Sequence, residues 1–474
     1  MGFLSVARQH ATDVVRLLRA RGFQAYFNGG CVRDLLLGRE PADYDVSTDA
    51  TPQEVMRIFP RALAVGAQFG VVLVPAKRTT TEGTEGDGGN ATTVEVATFR
   101  SDIGYSDGRH PDEVRFTKDP REDVQRRDFT INGMLLDPLV ADSTIFGSIV
   151  PESIICSSTI DGILDFVGGR DDLKAGIVRA IGEPSRRFAE DKLRMLRAVR
   201  FAARFEFTIE PATFAAIQEL APQIHQVSQE RVRDELTRML TEGHARRAFL
   251  LLDESGLLRE VLPEISRMKG VEQPPQFHPE GDVFVHTLLL LDKLPAGSSE
   301  TLAWGALLHD VGKPPTFRVA PDRIRFDGHV DVGVKMAAEI CRRLRFSNDE
   351  TEQILALVDN HMRFAHALQM NESTLKKFLR LPHFDEHLEL HRMDVLSSNG
   401  FLDAYEYARE RLASMPPEAM RPQPLVTGDD LIAAGYAPGP RFKEILGAVE
   451  DAQLEGRVST REAAMEMVAR EFSR

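Results

Sequence analysis

The sequence predicts an α+β protein in which a small mixed α/β domain at the N-terminus is followed by an all-helical remainder. Two observations lead to this expectation. In the first hundred residues, apolar or alternating runs typical of strands lie between helical patterns and glycine turns. From about Phe188 onward, strand signals become scarce, and helical patterns separated by Gly and Pro continue towards the C-terminus.

The N-terminal elements are predicted in the order helix, strand, glycine turn and helix, followed by further strands and a helix. A glycine pair ends the first strand and opens a helix, and Thr51 is positioned to cap a later helix. In the remaining segments, alternating apolar and polar residues predict strands, and apolar residues at helical spacing predict helices. The predicted helices cover residues 4–21, a segment from Cys31 and residues 51–59, and the predicted strands cover residues 24–30, 42–49, 69–76 and 92–99.

Chain length and composition limit the class of protein. At 474 residues the chain is too long for one compact core, so we expect two to four domains. A hydrophobic content of 42% with 27% charged residues, and no apolar run of bilayer length, exclude membrane insertion. The first residues lack the apolar core of a signal peptide, which predicts a cytoplasmic protein. Cys31, Cys156 and Cys341 are few and widely separated, so we expect reduced thiols.

The charge pattern leaves room for a nucleic acid as partner. A net charge of −14 is unusual for a protein that binds phosphates, because that binding needs Lys and Arg on the contact face. Arginines nevertheless concentrate at residues 126–127, 194–204 and 231–238. These segments predict local basic surfaces.

The strongest chemical pattern lies in residues 29–50. Asp43 and Asp45 follow the glycine pair, and alternate positions on a strand place both carboxylates on one face. Opposite a glycine turn at a helix N-terminus, beginning at Gly30, such carboxylates can hold Mg²⁺ ions that bridge to nucleotide phosphates. Glu95, on a later strand, is the acidic residue best placed to provide a third ligand. The pattern predicts two-metal nucleotidyl transfer, with Arg33 able to contact a phosphate.

Residues 29–50 resemble the first motif of the class II tRNA nucleotidyltransferase and bacterial poly(A) polymerase family, within the polymerase β superfamily. Further motifs follow in the order found in that family. Residues 126–137 resemble its ribose- and phosphate-contacting motif, which implies that Arg127 and Asp128 touch the bound nucleotide. Residues 101–119 resemble its flexible loop, which is needed for switching from C to A addition.

Residues 187–205 resemble the EDxxR motif of the family, which implies that Asp191 and Arg194 select the incoming base. The spacing of i and i+3 also makes the two residues neighbours on one helix face, with an acceptor beside donors. Cytosine and adenine both present an amino donor next to a ring-nitrogen acceptor, whereas uracil and guanine do not. By resemblance, Arg197 and Arg200 contact phosphates or the base.

Two other segments complete the comparison with this family. Residues 229–240 resemble its last motif, in which Arg231, Arg233 and Glu235 would support the helices around the base pocket. Segments 79–93 and 148–160 are interpreted as insertions without an assigned role.

The C-terminal half carries a series of histidines and aspartates that resembles the HD phosphohydrolase superfamily. Neutral imidazoles with carboxylates form a mixed site suited to Ni²⁺, Mn²⁺ or Mg²⁺, with an open position for water. The expected metal ligands are His286, His309, Asp310 and Asp394. His329 and His361 would be second-metal ligands or acid and base, and Lys313 would contact phosphate. Whether this domain is active or only a scaffold for tRNA is left open.

The leading hypothesis is CCA addition to tRNA from CTP and ATP with Mg²⁺, and no obligate protein partner is evident. The rival hypotheses are a poly(A) polymerase, an A-adding enzyme, an HD-type phosphohydrolase and a tRNA-binding protein with decayed sites. Against poly(A) addition, residues 65–74 lack the basic residues associated with that branch. The expected domains are a nucleotidyltransferase head at 1–150, a helical nucleotide- and RNA-binding body at 151–270, an HD-type domain at 271–414 and a helical tail at 415–474.

Overall fold

The computed structural model describes most of the chain. The described residues are 5–65, 70–76, 93–104, 112–141, 162–275, 281–321 and 323–473. Segments 79–92 and 148–160, the tip of the loop motif at 105–111 and Cys156 lie outside them. The chain divides into two compact units, one of Met1–Glu235 with Leu250–Val261 and one of Leu236–Phe249 with Leu262–Arg474.

A mixed β-sheet is the centre of the first unit. The strands as far as residue 261 are β1 (Ala25–Asn28), β2 (Asp45–Thr48), β3 (Leu63–Ala64), β4 (Val71–Pro75), β5 (Thr93–Thr98), β6 (Arg100–Ile103), β7 (Glu113–Phe116), β8 (Met134–Leu136), β9 (Ile163–Asp165), β10 (Ile177–Val178) and β11 (Thr208–Ile209). Among the described residues, seven of them form one sheet in the order β3-β4-β5-β2-β1-β8-β9. Only β2 and β5 run parallel in this sheet, whereas its other neighbouring strands pair antiparallel.

Helices cover this sheet and continue the chain beyond it. As far as residue 261 they are α1 (Val6–Ala20), α2 (Gly30–Leu36), α3 (Pro52–Ile58), α4 (Pro120–Gln125), α5 (Pro138–Ala141), α6 (Gly169–Ala175), α7 (Pro184–Glu190), α8 (Leu193–Arg204), α9 (Pro211–Leu220), α10 (Gln229–Thr241), α11 (Ala245–Glu254) and α12 (Leu257–Val261). Helix α1 buries Val14, Val15 and Leu18 at helical spacing. Thr51 caps α3 in a capping box with Glu54, as the sequence predicts.

The second unit is built almost entirely of helices. They are α13 (Pro263–Ser266), α14 (Val283–Lys293), α15 (Glu300–Leu308), α16 (Lys313–Thr316), α17 (His329–Arg343), α18 (Asn348–Asn360), α19 (Glu372–Leu379), α20 (Phe384–Leu396), α21 (Asp403–Ser414), α22 (Pro417–Met420), α23 (Gly428–Ala433), α24 (Arg441–Leu454) and α25 (Arg461–Glu471), with a 3₁₀ helix at His361–Gln369. Two short strands, β12 (Arg318–Val319) and β13 (Ile324–Arg325), form a hairpin. The predicted α+β class is confirmed, although short strands interrupt the expected all-helical remainder.

The second unit buries a tryptophan. Trp304 is fully buried, its indole N–H donates to Thr237 Oγ1 at 2.9 Å, and Phe346 packs edge-on at 5.1 Å. Cys341 lies in the same unit as a buried free thiol, and Cys31 is its counterpart in the first unit. Within the described residues, no helix is long and apolar enough to cross a membrane.

Candidate functional site

A glycine turn connects β1 to α2 at the edge of the first candidate site. Gly29 has φ 68° and ψ −129°, a backbone conformation that side chains with a Cβ rarely adopt. A Cβ at Gly29 would also lie 3.2 Å from Nη1 of Arg127. Glycine at this position therefore satisfies both the turn and the close approach of an arginine, and α2 begins at Gly30 immediately after it.

Three carboxylates lie beside this turn. Asp45 is the first residue of β2 and is the direct register partner of Glu95 on the parallel strand β5. Burial and then the charge of Glu95 raise the pKa of Asp45 to about 6; Arg127 opposes this rise, and Asp43 adds a smaller contribution to it. Desolvation and the charge of Asp43 also raise the pKa of Glu95. Asp45 and Glu95 thus each sense the charge of a neighbouring carboxylate, and carboxylate oxygens are ligands that a divalent cation prefers.

One detail of the predicted arrangement is wrong. Asp43 was expected on the same strand as Asp45, but β2 begins at Asp45 and Asp43 lies exposed in the preceding bend. The reason is that β1 pairs with β2 only from Phe27 back to Ala25. Beyond Asn28 the chain turns at Gly29 into α2, so β1 offers no strand opposite Asp43.

The raised pKa of Asp45 predicts a gain in stability when its charge is removed. The folded protein binds the Asp45 proton more tightly than the unfolded chain, so ionised Asp45 opposes folding as the pH rises from about 4 to about 6. We expect Asp45→Asn to stabilise metal-free protein at pH 7.5 by roughly 1–3 kcal/mol, at about 1.4 kcal/mol per pKa unit. In EDTA, the midpoint of thermal unfolding followed by circular dichroism should rise by about 2 °C or more.

The pH dependence provides the internal control for this measurement. The stabilisation should shrink as the pH falls towards 4, where Asp45 of the wild-type protein is protonated in the folded state. An equal gain at both pH values, or a loss at pH 7.5, would contradict the electrostatic explanation.

Arg127 and Asp128 lie next to the glycine turn and are held by several partners. Arg127 donates to Asn28 Oδ1 at 2.7 Å, to Ser47 Oγ at 3.2 Å and to Asp123 Oδ2 at 2.8 Å. Asp128 accepts from Arg197 at 2.7 Å. Burial acts to raise the pKa of Asp128, but Arg197 and a hydrogen bond from Asn132 outweigh it and lower the pKa to about 2. Asp128 is thus a fixed anion.

Arg33 is held by several partners within the protein. Its side chain is buried, donates to Asn132 Oδ1 at 2.6 Å and lies 2.7 Å from Asp34. Its guanidinium also lies over the rings of Phe201 and Phe205, at 5.2 and 4.6 Å from their centroids. These contacts fix α2 against α8, and a phosphate contact by Arg33 stays a prediction.

The predicted helix face for base selection is interrupted. α7 ends at Glu190 and α8 begins at Leu193, so Asp191 lies between two helices with φ −149° and ψ 108°. Its side chain accepts from the Leu193 N–H at 3.0 Å, as a capping residue does. The expectation that Asp191 and Arg194 share one continuous helix is therefore wrong, because Asp191 has an extended backbone, although the two remain close in sequence.

Further ion pairs support α8. Arg200 donates to Glu235 Oε2 at 2.7 Å, and both side chains are about 95% buried, with exposed fractions of 5%. Arg197 lies 3.7 Å from the same glutamate. Arg231 pairs with Asp191 at 2.8 Å, and Arg233 pairs with Asp234 at 2.9 Å. Arg197 and Arg200 thus have protein partners, and their predicted nucleotide contacts stay predictions.

The second unit contains two adjacent groups of potential metal ligands. Within the described residues, His286, His309 and Asp394 form one group, and Asp310, His329 and His361 form the other. In each group the ligand atoms lie within 4.8 Å of one another. Nε2 of His286 lies 3.1 Å from Asp394 and 3.9 Å from Asp310, so Asp310 faces both groups.

The imidazoles of this cluster are oriented for metal binding. Nδ1 of His309, His329 and His361 lies 2.8, 3.0 and 2.7 Å from the backbone carbonyl three residues earlier. Since Nδ1–H donates to a carbonyl, Nε2 is left as the ligand atom. Nε2 of His329 and of His361 is buried without a hydrogen-bond partner among the described residues. Burial lowers the pKa of His361 to about 4, which keeps this imidazole neutral at physiological pH.

The carboxylates of the cluster are anionic. Burial acts to raise the pKa of Asp310, but Lys313 and His309 outweigh it and hold the pKa well below the usual range. Burial also acts to raise the pKa of Asp394, but the hydrogen bond and the charge of His286 outweigh it and lower this pKa. Lys313 lies 2.7 Å from Asp310 and donates to Gln273 Oε1 at 2.7 Å. Imidazole nitrogens around anionic carboxylates form a mixed N/O ligand set that fits a divalent metal.

The structure adds residues that the sequence analysis did not identify. Asp123 is buried and holds Arg126 and Arg127, each at 2.8 Å. Its spacing of i and i+4 from Arg127 was the signal that could have identified it, although α4 ends at Gln125. Glu190, which pairs with Arg194 at 2.7 Å, has the same i and i+4 spacing.

Known families match successive parts of the chain. The family described as Poly A polymerase head domain matches residues 25–179, and the probable RNA and SrmB-binding site of polymerase A matches residues 206–269. The HD domain family matches residues 282–397.

Individual relatives extend these matches. A CCA-adding enzyme of Geobacillus sp. (strain WCH70) is 30% identical over 454 residues, which cover 95% of this chain and 93% of the relative. The CCA-adding enzyme of Geobacillus stearothermophilus is 39% identical over 52% of this chain, and that match spans only about half of the relative, 53%. The crystal structure of the Bacillus stearothermophilus CCA-adding enzyme in complex with CTP has a TM-score of 0.71 at 26% identity, covering 98% of this chain and 99% of that chain.

The mixed sheet with its carboxylates, followed by a probable RNA-binding region of polymerase A and an HD domain, places the chain in the class of proteins with a poly(A) polymerase head domain. The chain belongs to the class II tRNA nucleotidyltransferase and bacterial poly(A) polymerase family, and it has a C-terminal HD domain. The family predicted from the sequence motifs is thereby confirmed.

Proposed function

We propose that this protein adds C, C and A to the 3′ end of tRNA from CTP and ATP. The observation that carries the proposal is the pairing of Asp45 with Glu95 across β2 and β5, with Asp43 next to them, beside the glycine turn. The match to CCA-adding enzymes along 95% of the chain supports this activity over poly(A) addition.

The proposed chemistry follows from the charges at this site. Divalent ions, which we propose to be Mg²⁺ held by Asp43, Asp45 and Glu95, would supply Lewis-acid activation of the RNA 3′ hydroxyl and neutralise the departing pyrophosphate. The N–H groups at the start of α2, including that of Gly30, are available for the nucleotide phosphates. Arg127, next to Gly29, would add a guanidinium to this phosphate site.

Base selection is proposed for Asp191 and Arg194. The carboxylate of Asp191 can accept a hydrogen bond from the exocyclic amino group of cytosine or adenine, and Arg194 can donate to the neighbouring ring nitrogen. Uracil and guanine would place a carbonyl against Asp191, which leaves a buried acceptor unpaired. One pair of side chains therefore accepts C and A and rejects U and G.

Incorporation by the purified protein tests the proposal. The RNAs are a tRNA lacking CCA, a tRNA ending in CC and an unstructured oligonucleotide, with each labelled NTP supplied singly and with CTP and ATP together. We expect addition to stop after CCA on the first tRNA and after one A on the second, and UTP and GTP to be refused because the site fits C and A alone. A long A ladder on any RNA would indicate a poly(A) polymerase, and a single A only on the CC-ended tRNA would indicate an A-adding enzyme.

A second function is proposed for the C-terminal unit. Two groups of ligands that both lie beside Asp310 favour a phosphohydrolase with Ni²⁺, Mn²⁺ or Mg²⁺, in which the metal would supply Lewis-acid activation of water and of a phosphate ester. Lys313, next to Asp310, would contact the phosphate. The four-domain division and a cytoplasmic location stay predictions.

A further inference from the structure

The two side chains proposed to read the base are held by different partners. Nη2 of Arg231 donates to Asp191 Oδ2 at 2.8 Å, and Nη1 donates to Oδ1 at 3.3 Å. The guanidinium therefore forms a bidentate pair with the carboxylate. Exposed fractions of 23% for Arg231 and 16% for Asp191 show that this pair is largely shielded from water. Arg231 lies in the first turn of α10, 40 residues after Asp191.

The guanidinium of Arg194 is held by contacts other than Arg231 and the Asp191 carboxylate. It pairs with Glu190 at 2.7 Å and donates to the carbonyls of Arg187 and Arg126 at 3.0 and 3.2 Å. Its side chain is 12% exposed, so this environment is also partly dehydrated. The acceptor and the donor of the proposed base pair are therefore fixed by separate contacts.

Separate contacts matter because Asp191 and Arg194 carry opposite charges and lie only three residues apart. A direct ion pair between them would occupy the acceptor and the donors that a base requires. Asp191 lies between two helices with an extended backbone, so helix geometry does not orient its side chain. The only other bond described for its carboxylate comes from the Leu193 N–H at 3.0 Å, which leaves Arg231 as its principal restraint among the described residues.

We propose that Arg231 is a positioning residue that keeps Asp191 away from Arg194 and so determines the discrimination between bases. This inference rests on the proposed function, since it concerns the same base-reading pair. Without Arg231, Asp191 would pair with Arg194, and the site would lose its preference for an amino donor next to a ring-nitrogen acceptor.

Equilibrium binding of CTP, ATP, UTP and GTP to the full chain tests the inference, together with incorporation of each nucleotide into tRNA. For Arg231→Ala we expect Kd and KM for CTP and ATP to rise about 10- to 100-fold, the range for loss of a charged hydrogen-bonded contact. Binding of UTP and GTP should change little, so discrimination falls by at least about tenfold. Arg231→Lys should restore part of it, because an ammonium keeps the charge but not the two parallel bonds.

A matched control lies in α12. Arg259 pairs with Glu260, its neighbour in sequence, at 3.1 Å, so Arg259→Ala removes the same kind of side chain without touching Asp191. It should discriminate among the four nucleotides as the wild type does. In an Asp191→Ala background, Arg231→Ala should cause no further loss of discrimination, since the two changes remove one interaction.

The outcomes separate this inference from the proposed function. Wild-type protein that shows no preference for CTP and ATP would refute the proposed function itself. Wild-type protein that discriminates, together with an Arg231→Ala variant that discriminates equally well, would overturn only the role of Arg231. An equal weakening for all four nucleotides would also overturn it, because that pattern indicates a merely structural contact. If Arg231→Ala does not fold, Arg231→Lys decides, and full wild-type discrimination in that variant counts against the inference.

Discussion

Asp45→Asn is expected to reduce nucleotide addition by at least about a thousandfold, which corresponds to roughly 4 kcal/mol of transition-state stabilisation. The substitution keeps the shape of the side chain but removes the negative charge that faces Glu95 across the parallel strands. A neutral amide is a weak ligand for a hard divalent cation, so the charge that neutralises pyrophosphate would be lost. Single-turnover incorporation of CMP into tRNA lacking CCA measures the loss.

Asp49→Asn is the matched control for this loss. Asp49 lies four residues after Asp45 and accepts the backbone N–H of Gln24 at 2.7 Å, an acceptor function that an asparagine oxygen retains. Its rate should stay within about twofold of the wild type. Asp45→Asn should also be more stable than the wild type in the absence of metal, because the pKa of Asp45 is raised to about 6. A variant that is folded, stabilised and inactive would show that the carboxylate serves catalysis at the expense of stability. Retention of a tenth of the wild-type rate would contradict its proposed role.

Local sequence signals account for much of the head domain. Strand β5 and helix α3 are where periodicity and the Thr51 cap predict them, because these signals act over a few residues. The motif also indicated Glu95 as the third carboxylate. Its register opposite Asp45 was beyond prediction, since the pairing of β2 with β5 joins segments 50 residues apart.

The errors arose where distant parts of the chain decide local structure. Residues 187–205 contain no glycine or proline, so their pattern indicates one continuous helix, whereas the chain is extended at Asp191. The partner of Asp191 is Arg231, far along the sequence, and no local signal shows that contact. Asp43 was placed on a strand because alternation does not reveal where the partner strand ends. The pairing of Arg200 with Glu235 is equally long-range.

The six potential metal ligands of the C-terminal unit, which we call the HD cluster, were identified from their order in the sequence: His286, His309, Asp310, His329, His361 and Asp394. The sequence did not show which of these side chains lie close enough together to bind one metal. Asp310 lies 3.2 Å from His309, 3.9 Å from His286 and 3.7 Å from His361, so one carboxylate faces both groups. Its position makes Asp310 the residue whose loss should affect the whole cluster.

Asp310→Asn is therefore expected to remove bound divalent metal from the C-terminal unit and to reduce its proposed hydrolysis of phosphate diesters by at least about a thousandfold. Mn²⁺ or Ni²⁺ content per chain after dialysis, and hydrolysis of bis(4-nitrophenyl) phosphate, measure the two effects. The control is Asp331→Asn, which changes an exposed carboxylate in the first turn of α17 and should leave both unchanged.

Incorporation of CMP and AMP by Asp310→Asn determines what the HD cluster contributes to the protein. The ligands of this cluster lie in a compact unit other than the one that holds Asp45, so we expect incorporation within about twofold of the wild type. Together with hydrolysis by Asp45→Asn at the wild-type rate, this result would establish two independent active sites. Lost incorporation in a folded, metal-free Asp310→Asn would instead show that the cluster supports tRNA addition as a scaffold. Metal retained at the wild-type content would refute Asp310 as the shared ligand, because the remaining side chains would then hold the ion without it.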